Sequence, residues 1–107
     1  MKFKLNVIER LMCLNLMPRQ ETYANMLLLQ ESKRDIGFDR KEHDELELED
    51  LPNGGVKWNP EKGIKEKEIE IINFTLDKIK ENLKKLNNDG KLEEAHMSLY
   101  KKLIKEE

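Results

Sequence analysis

Proline and glycine cut this chain into short pieces, and their placement limits its architecture more than any other feature. Pro18, Gly37, the Pro52-Asn53-Gly54-Gly55 run, Pro60 and Gly90 fall where periodic apolar patterns stop, and only Gly63 falls inside one. Proline removes a backbone donor and fixes its own φ, and glycine admits turn conformations, so both punctuate regular structure. The pieces have the lengths of helices and of one hairpin. The predicted class is α+β, mostly helical, with about five helices, one β-hairpin and a C-terminal antiparallel helical hairpin. The 107 residues suit one domain. Residues 1–60 would supply helices and the β-hairpin, and residues 61–107 a helical hairpin packed on them.

Periodicity places the helices. In residues 4–16, Leu5, Ile8, Leu11 and Met12 recur three or four apart, and Val7, Leu14 and Leu16 widen the face. A helix apolar over most of its girth belongs at the centre of a fold, although the alternation Phe3, Leu5, Val7 also suits a short strand. A second helix is predicted over 21–36. Tyr23, Met26, Leu27 and Leu28 load its first half, Lys33 and Arg34 suit its C-terminal dipole, and Gly37 suits a left-handed cap. Asp39 with Glu42 three residues on forms a capping box, with Phe38 placed as a staple, so a third, short helix runs to about Glu45.

Leu46 to Glu49 and Val56 to Trp58 alternate with period two around Asn53-Gly54, which predicts a hairpin. Leu46 and Leu48 would share a face with Val56 and Trp58, and Glu47 and Glu49 would lie near Lys57. Asn59-Pro60 then suits a helix start. Ile69, Ile72, Leu76, Ile79, Leu83 and Leu86 are spaced as a heptad seam, which predicts one long helix from about 59 to 86. That seam suits either the core or a homodimer interface through Ile69, Ile72, Leu76, Ile79 and Leu83, because Ile71 and Phe74 add apolar surface beside it. After Asn87-Asn88-Asp89-Gly90, a last helix carries Leu92, His96, Leu99 and Leu103 on one face.

Helix, helix, short helix and hairpin is the order of a winged helix, whose third helix enters the major groove. The charges oppose that use. Residues 38–60 hold Arg40, Lys41 and Lys57 against Asp39, Glu42, Asp44, Glu45, Glu47, Glu49 and Asp50, a net charge of −4 in a chain of net −2. Phosphate binding needs the opposite balance. The expected partner-binding residues are therefore Glu42, Asp44, Glu45, Glu47, Glu49, Asp50 and Trp58, facing a protein. A nucleic-acid-associated regulator using Lys33, Arg34, Arg40 and Lys41 is the alternative.

Catalysis is not expected. Ser32, Ser98, Thr22 and Thr75 lie in no nucleophile elbow, and Gly54-Gly55 before Lys57 does not complete a phosphate-binding loop. Glu42-His43-Asp44-Glu45 mixes metal-capable residues, but His43 does not share the face of Glu42 and Glu45, so neither a metal nor a cofactor is expected. Cys13 is the single cysteine and reads as a small core residue. The charged start Met1-Lys2-Phe3-Lys4 followed by Glu9 and Arg10 does not form a signal peptide, and no apolar run approaches a membrane span. A cytoplasmic setting is expected.

Several short runs recur in order: Leu14-Asn-Leu-Met-Pro18, Glu42-His43 before alternating Glu47 and Glu49, Trp58-Asn-Pro-Glu61, Glu66-Lys-Glu-Ile-Glu-Ile71, and His96-Met-Ser-Leu-Tyr-Lys101. With these, nearly the whole chain resembles a group of small uncharacterised proteins encoded by tailed bacteriophages and prophages. The resemblance implies a bacterial host cytoplasm and an accessory role carried out by binding host or viral proteins. It supplies no site residues.

Overall fold

The computed structural model describes residues 1–104. Its order is β1 (Lys2–Leu5), α1 (Val7–Leu16), α2 (Tyr23–Ile36), α3 (Arg40–Leu46), β2 (Glu49–Asp50), β3 (Val56–Lys57), α4 (Pro60–Gly63), β4 (Lys67–Glu70), α5 (Asn73–Asn88), a single 3-10 turn (Glu94–His96) and α6 (Met97–Leu103). The fold is α+β and mostly helical. The winged-helix order of three helices and a hairpin is present, preceded by a strand.

The long helix expected over 59–86 is three elements. Asn59 caps α4 through its side chain, with Pro60 at the first position, but α4 ends at Gly63. Residues 67–70 then form β4, which pairs antiparallel with β1 in the register Lys2↔Glu70, Phe3↔Ile69, Lys4↔Glu68 and Leu5↔Lys67. The alternation Glu68-Ile69-Glu70-Ile71 overlaps the heptad spacing, and the strand reading wins because a partner strand exists. Phe3, Leu5 and Ile69 point into the core. Lys2 lies opposite Glu70 and Lys4 opposite Glu68 on the wet face, so every outward cross-strand pair joins opposite charges.

The seam residues do not form a free interface. Ile69 lies on β4, Ile72 is the N-cap of α5, and Leu76, Ile79 and Leu83 on α5 are at most 3% exposed. Ile71, expected off the seam, is fully buried as well. Apart from the half-buried Ile72, these side chains join Phe3, Leu5, Cys13, Leu29, Ile36, Leu99 and Leu103 in one cluster. Of the two readings of the seam, the core one fits, because a homodimer through Leu76, Ile79 and Leu83 would need surface that the chain's own core already covers.

Two helices turn differently from expectation. α1 buries Val7, Cys13 and two charged residues, Glu9 and Arg10, while Ile8, Leu11, Met12, Leu14 and Leu16 are only half-buried. α2 buries Leu29, Ser32 and Ile36, and leaves Tyr23 82% and Leu27 49% exposed. Gly37 does end α2, but with extended φ of −71° rather than left-handed backbone. A β-carbon there would sit 2.5 Å from the Lys33 carbonyl oxygen, so glycine is required by close approach.

Residues 38–66 form a thin lobe beside this core. Only Gly63 in that stretch is buried, and Leu46, Leu48, Leu51, Val56 and Trp58 are half-buried. The lobe cannot gain much from apolar burial, so its attachment rests on polar contacts.

Candidate functional site

The lobe is assembled by local hydrogen bonds. Asp39 and Glu42 complete the predicted capping box of α3. The helix ends on Glu47, the one non-glycine residue with left-handed backbone among those described (φ 57°), a conformation that costs an L-residue roughly 1–2 kcal/mol. The Asn59 side chain donates to Glu47 Oε2 at 2.7 Å, and the Asn59 amide donates to the Leu46 carbonyl at 2.8 Å. Asn59 thus ties the end of α3 to the start of α4. Between them the hairpin is shorter than expected, with Glu49 opposite Lys57 and Asp50 opposite Val56. Leu46 belongs to α3 rather than to a strand. The Leu51 carbonyl accepts from Gly54 at 3.0 Å across a turn with Pro52 at its second position, and Gly54 takes φ +87°.

This arrangement gathers part of the expected surface. Glu47, Glu49 and Trp58, with Lys57, Asn59, Pro60 and Glu61, line an open cavity of about 540 Å³. Asp44, Glu45 and Asp50 are exposed but do not line it. Glu42 departs most from expectation, because it is not a free surface acid. Arg10 Nη1 and Nη2 donate to its two carboxylate oxygens at 2.7 and 3.1 Å, and Lys67 lies 3.4 Å away. Glu61 was legible only as part of a helix start. The cap and proline before it place it in the first turn of α4, at the mouth of the cavity.

Trp58 is seated by Gly63. A β-carbon on Gly63 would fall 2.4 Å from Trp58 Nε1 and 2.5 Å from Cδ1, so the indole rests against the bare glycine. Gly63→Ala is expected to push the indole from its seat at a cost of about 1–3 kcal/mol. Trp58 is the only tryptophan, so its fluorescence would shift to the red. Unchanged emission and unchanged stability in the variant would refute this seating.

Two ion-pair systems hold the lobe and the C-terminal helix to the core. Arg10, 3% exposed, also donates to the Ile36 and Gly37 carbonyls and lies 4.0 Å over the Phe38 ring. Burial opposes ionisation of Glu42, but the hydrogen bonds and charge of Arg10, with Lys67 and the Asp39 amide, outweigh it and hold the carboxyl below its ordinary value. The pair therefore stabilises the fold above the range of an unfolded carboxyl, about pH 4.3. That contribution is lost as the pH falls through the depressed value in the folded state. Hydrogen-exchange protection in residues 38–66, referred to the intrinsic rate at each pH, is expected to fall as the pH drops below that range, before the core opens; simultaneous opening of lobe and core would contradict it.

On the other side, Glu9 is fully buried. Its Oε1 accepts from Lys102 Nζ at 2.7 Å and from the Asn6 amide at 2.9 Å, while Oε2 has no partner. Lys102 also donates to Glu66 and to the Lys4 carbonyl. Burial disfavours the Lys102 charge, but the hydrogen bonds and charges of Glu66 and Glu9 prevail and raise its pKa. Burial and then the Glu9 charge push the Cys13 thiol up to about 12, so it is an inert core group.

Among the described residues, no three His, Cys, Asp or Glu side chains converge as a metal site. His43 is exposed, and His96 uses Nδ1 to accept from the Glu93 amide at 2.9 Å. Ser32 and Thr75 are buried and hydrogen-bonded to each other. No helix among these residues is long and apolar enough to cross a membrane. Comparison with protein-family models, curated proteins and solved structures found no match to this chain.

Proposed function

We propose that the protein acts without catalysis, as an accessory protein of bacteriophage type that binds a host or viral protein in the bacterial cytoplasm. The observation that carries this reading is the cavity formed by Trp58, Glu47, Glu49 and Glu61 on the lobe. Tryptophan is enriched at interaction hot spots, and Trp58 is half-buried and lines the cavity. The lobe is also the part of the fold with least buried apolar surface, where binding elements are commonly found. The nucleic-acid reading has less support. Lys33, Arg34, Arg40 and Lys41 are exposed, but the exposed acids Asp44 and Glu45 share α3 with the latter two, and they would repel phosphate.

The test compares the native protein with a Glu47→Lys, Glu49→Lys, Asp50→Lys variant as baits in a host lysate, with and without phage infection. The expected result is a protein retained by the native chain and lost by the folded variant. Identical retained sets for both baits would overturn the lobe assignment. Salt-sensitive retention of DNA or RNA by the native chain would instead favour the nucleic-acid reading.

A further inference from the structure

We infer that the lobe cavity receives a basic side chain from an extended segment of the partner protein, with its guanidinium or ammonium group seated among Trp58, Glu49 and Glu61. This inference rests on the interaction reading above and adds the partner's chemistry.

The lining is unevenly committed. Glu47 already accepts from Asn59 and lies 3.8 Å from Lys62. Glu49 and Glu61 have no ion pair or side-chain hydrogen bond among the described residues, and the only cation lining the cavity is Lys57. Three carboxylates against one ammonium leave a net negative pocket. One part of the indole is covered by Gly63, and Trp58 also lines the cavity, so aromatic surface is left beside the two uncommitted carboxylates. An aromatic wall and free carboxylates together favour a guanidinium or ammonium group, through cation–π attraction and charge-assisted hydrogen bonds.

Two further spaces lie beside the cavity. Glu61 is shared with a neighbouring space of about 440 Å³ lined by Glu45, Leu46, Lys62 and Lys65. Those last four residues are shared in turn with a third space of about 250 Å³ that reaches Lys67. Together these adjacent spaces around α4 offer more surface than one side chain needs, which favours a peptide segment over a free small cation. Their middle sets Lys62 and Lys65 against Glu45 and Glu61, and Lys65 has no carboxylate partner among the described residues. An acidic residue two or three places from the basic one therefore completes the match.

Trp58 emission gives a direct readout. The native protein is titrated with acetyl-Gly-Arg-Ser-Gly-Asp-Gly-amide, with the same peptide carrying citrulline in place of arginine, and with arginine amide and spermidine. Saturable change is expected with the arginine peptide, at least tenfold weaker with the citrulline peptide, and weaker again at high salt. Glu49→Gln with Glu61→Gln, checked for native circular dichroism, is expected to weaken the arginine peptide about tenfold. Equal response to the arginine and citrulline peptides, or none to either, overturns the cation seat, and the native comparison needs no variant. Arginine amide or spermidine binding as tightly as the peptide overturns the segment. If a lysate partner depends on the lobe while the arginine peptide does not bind, the interaction reading survives and this inference falls.

Discussion

Arg10→Ala is expected to destabilise the protein by about 3–5 kcal/mol, the range for removing one partner of a buried ion pair. The reason lies in what is left behind. Arg10 fills two carbonyl acceptors, at Ile36 and Gly37, and both oxygens of Glu42. Alanine satisfies none of them, and Glu42 would keep its charge with only Lys67 nearby. Arg10→Lys keeps the charge but loses the planar fork, so it should recover part of the loss and not most of it. The damage should be uneven. Residues 38–66 contribute Glu42 to this contact, whereas Leu5, Leu29, Ile79 and Leu83 are held by apolar packing in the core cluster. Denaturant midpoints measure the total, and hydrogen exchange locates it. Loss below about 1 kcal/mol would mean that the lobe is held by something other than Arg10.

Arg10 also shows where sequence reading reached its limit. The capping box of Asp39 and Glu42 was legible because both halves lie within four residues. That the same Glu42 would be taken by an arginine 32 residues away was not, because nothing in the local pattern of α1 marks which charged residues turn inward. The strands follow the same division. The β2–β3 hairpin closes through a local turn with strong turn residues, and it forms around the expected turn, with its first strand at Glu49–Asp50 instead of Leu46 to Glu49. The β1–β4 pair spans more than 60 residues, and each strand alone offers just four residues of alternation. Ile69 and Ile72 fit a helical seam as well as Ile69 and Ile71 fit a strand, so periodicity alone could not decide. The decision came from tertiary pairing, in which Lys2 and Lys4 face Glu70 and Glu68.

The candidate site divides in the same way. Trp58, Glu47 and Glu49 were legible as a charged hairpin with one large aromatic. Their convergence with Glu61 depends on Asn59 bonding Glu47 and on Gly63 admitting the indole. In the sequence Gly63 falls inside the pattern of a long helix. In the folded chain it ends a short one and makes room for Trp58.

Leu76→Glu carries the largest expected effect. Leu76 is 3% exposed and packs in the same cluster as Ile79 and Leu83. Removing the leucine side chain alone, as in Leu76→Ala, should cost about 2–5 kcal/mol. Glutamate adds an unpaired charge to that site, at several further kcal/mol, unless it protonates. Together these approach the whole stability of a small domain, about 5–15 kcal/mol, so the glutamate variant should be unfolded by circular dichroism while the alanine variant stays folded. A dimer interface makes the opposite demand. A charge placed on an exposed seam would separate two copies and leave each one folded, with the mass from light scattering halved. A folded, monomeric Leu76→Glu variant of a dimeric native protein would therefore contradict the burial of α5 in its own core. An unfolded variant of a native protein with monomeric mass would leave the lobe as the surface on which to look for the partner.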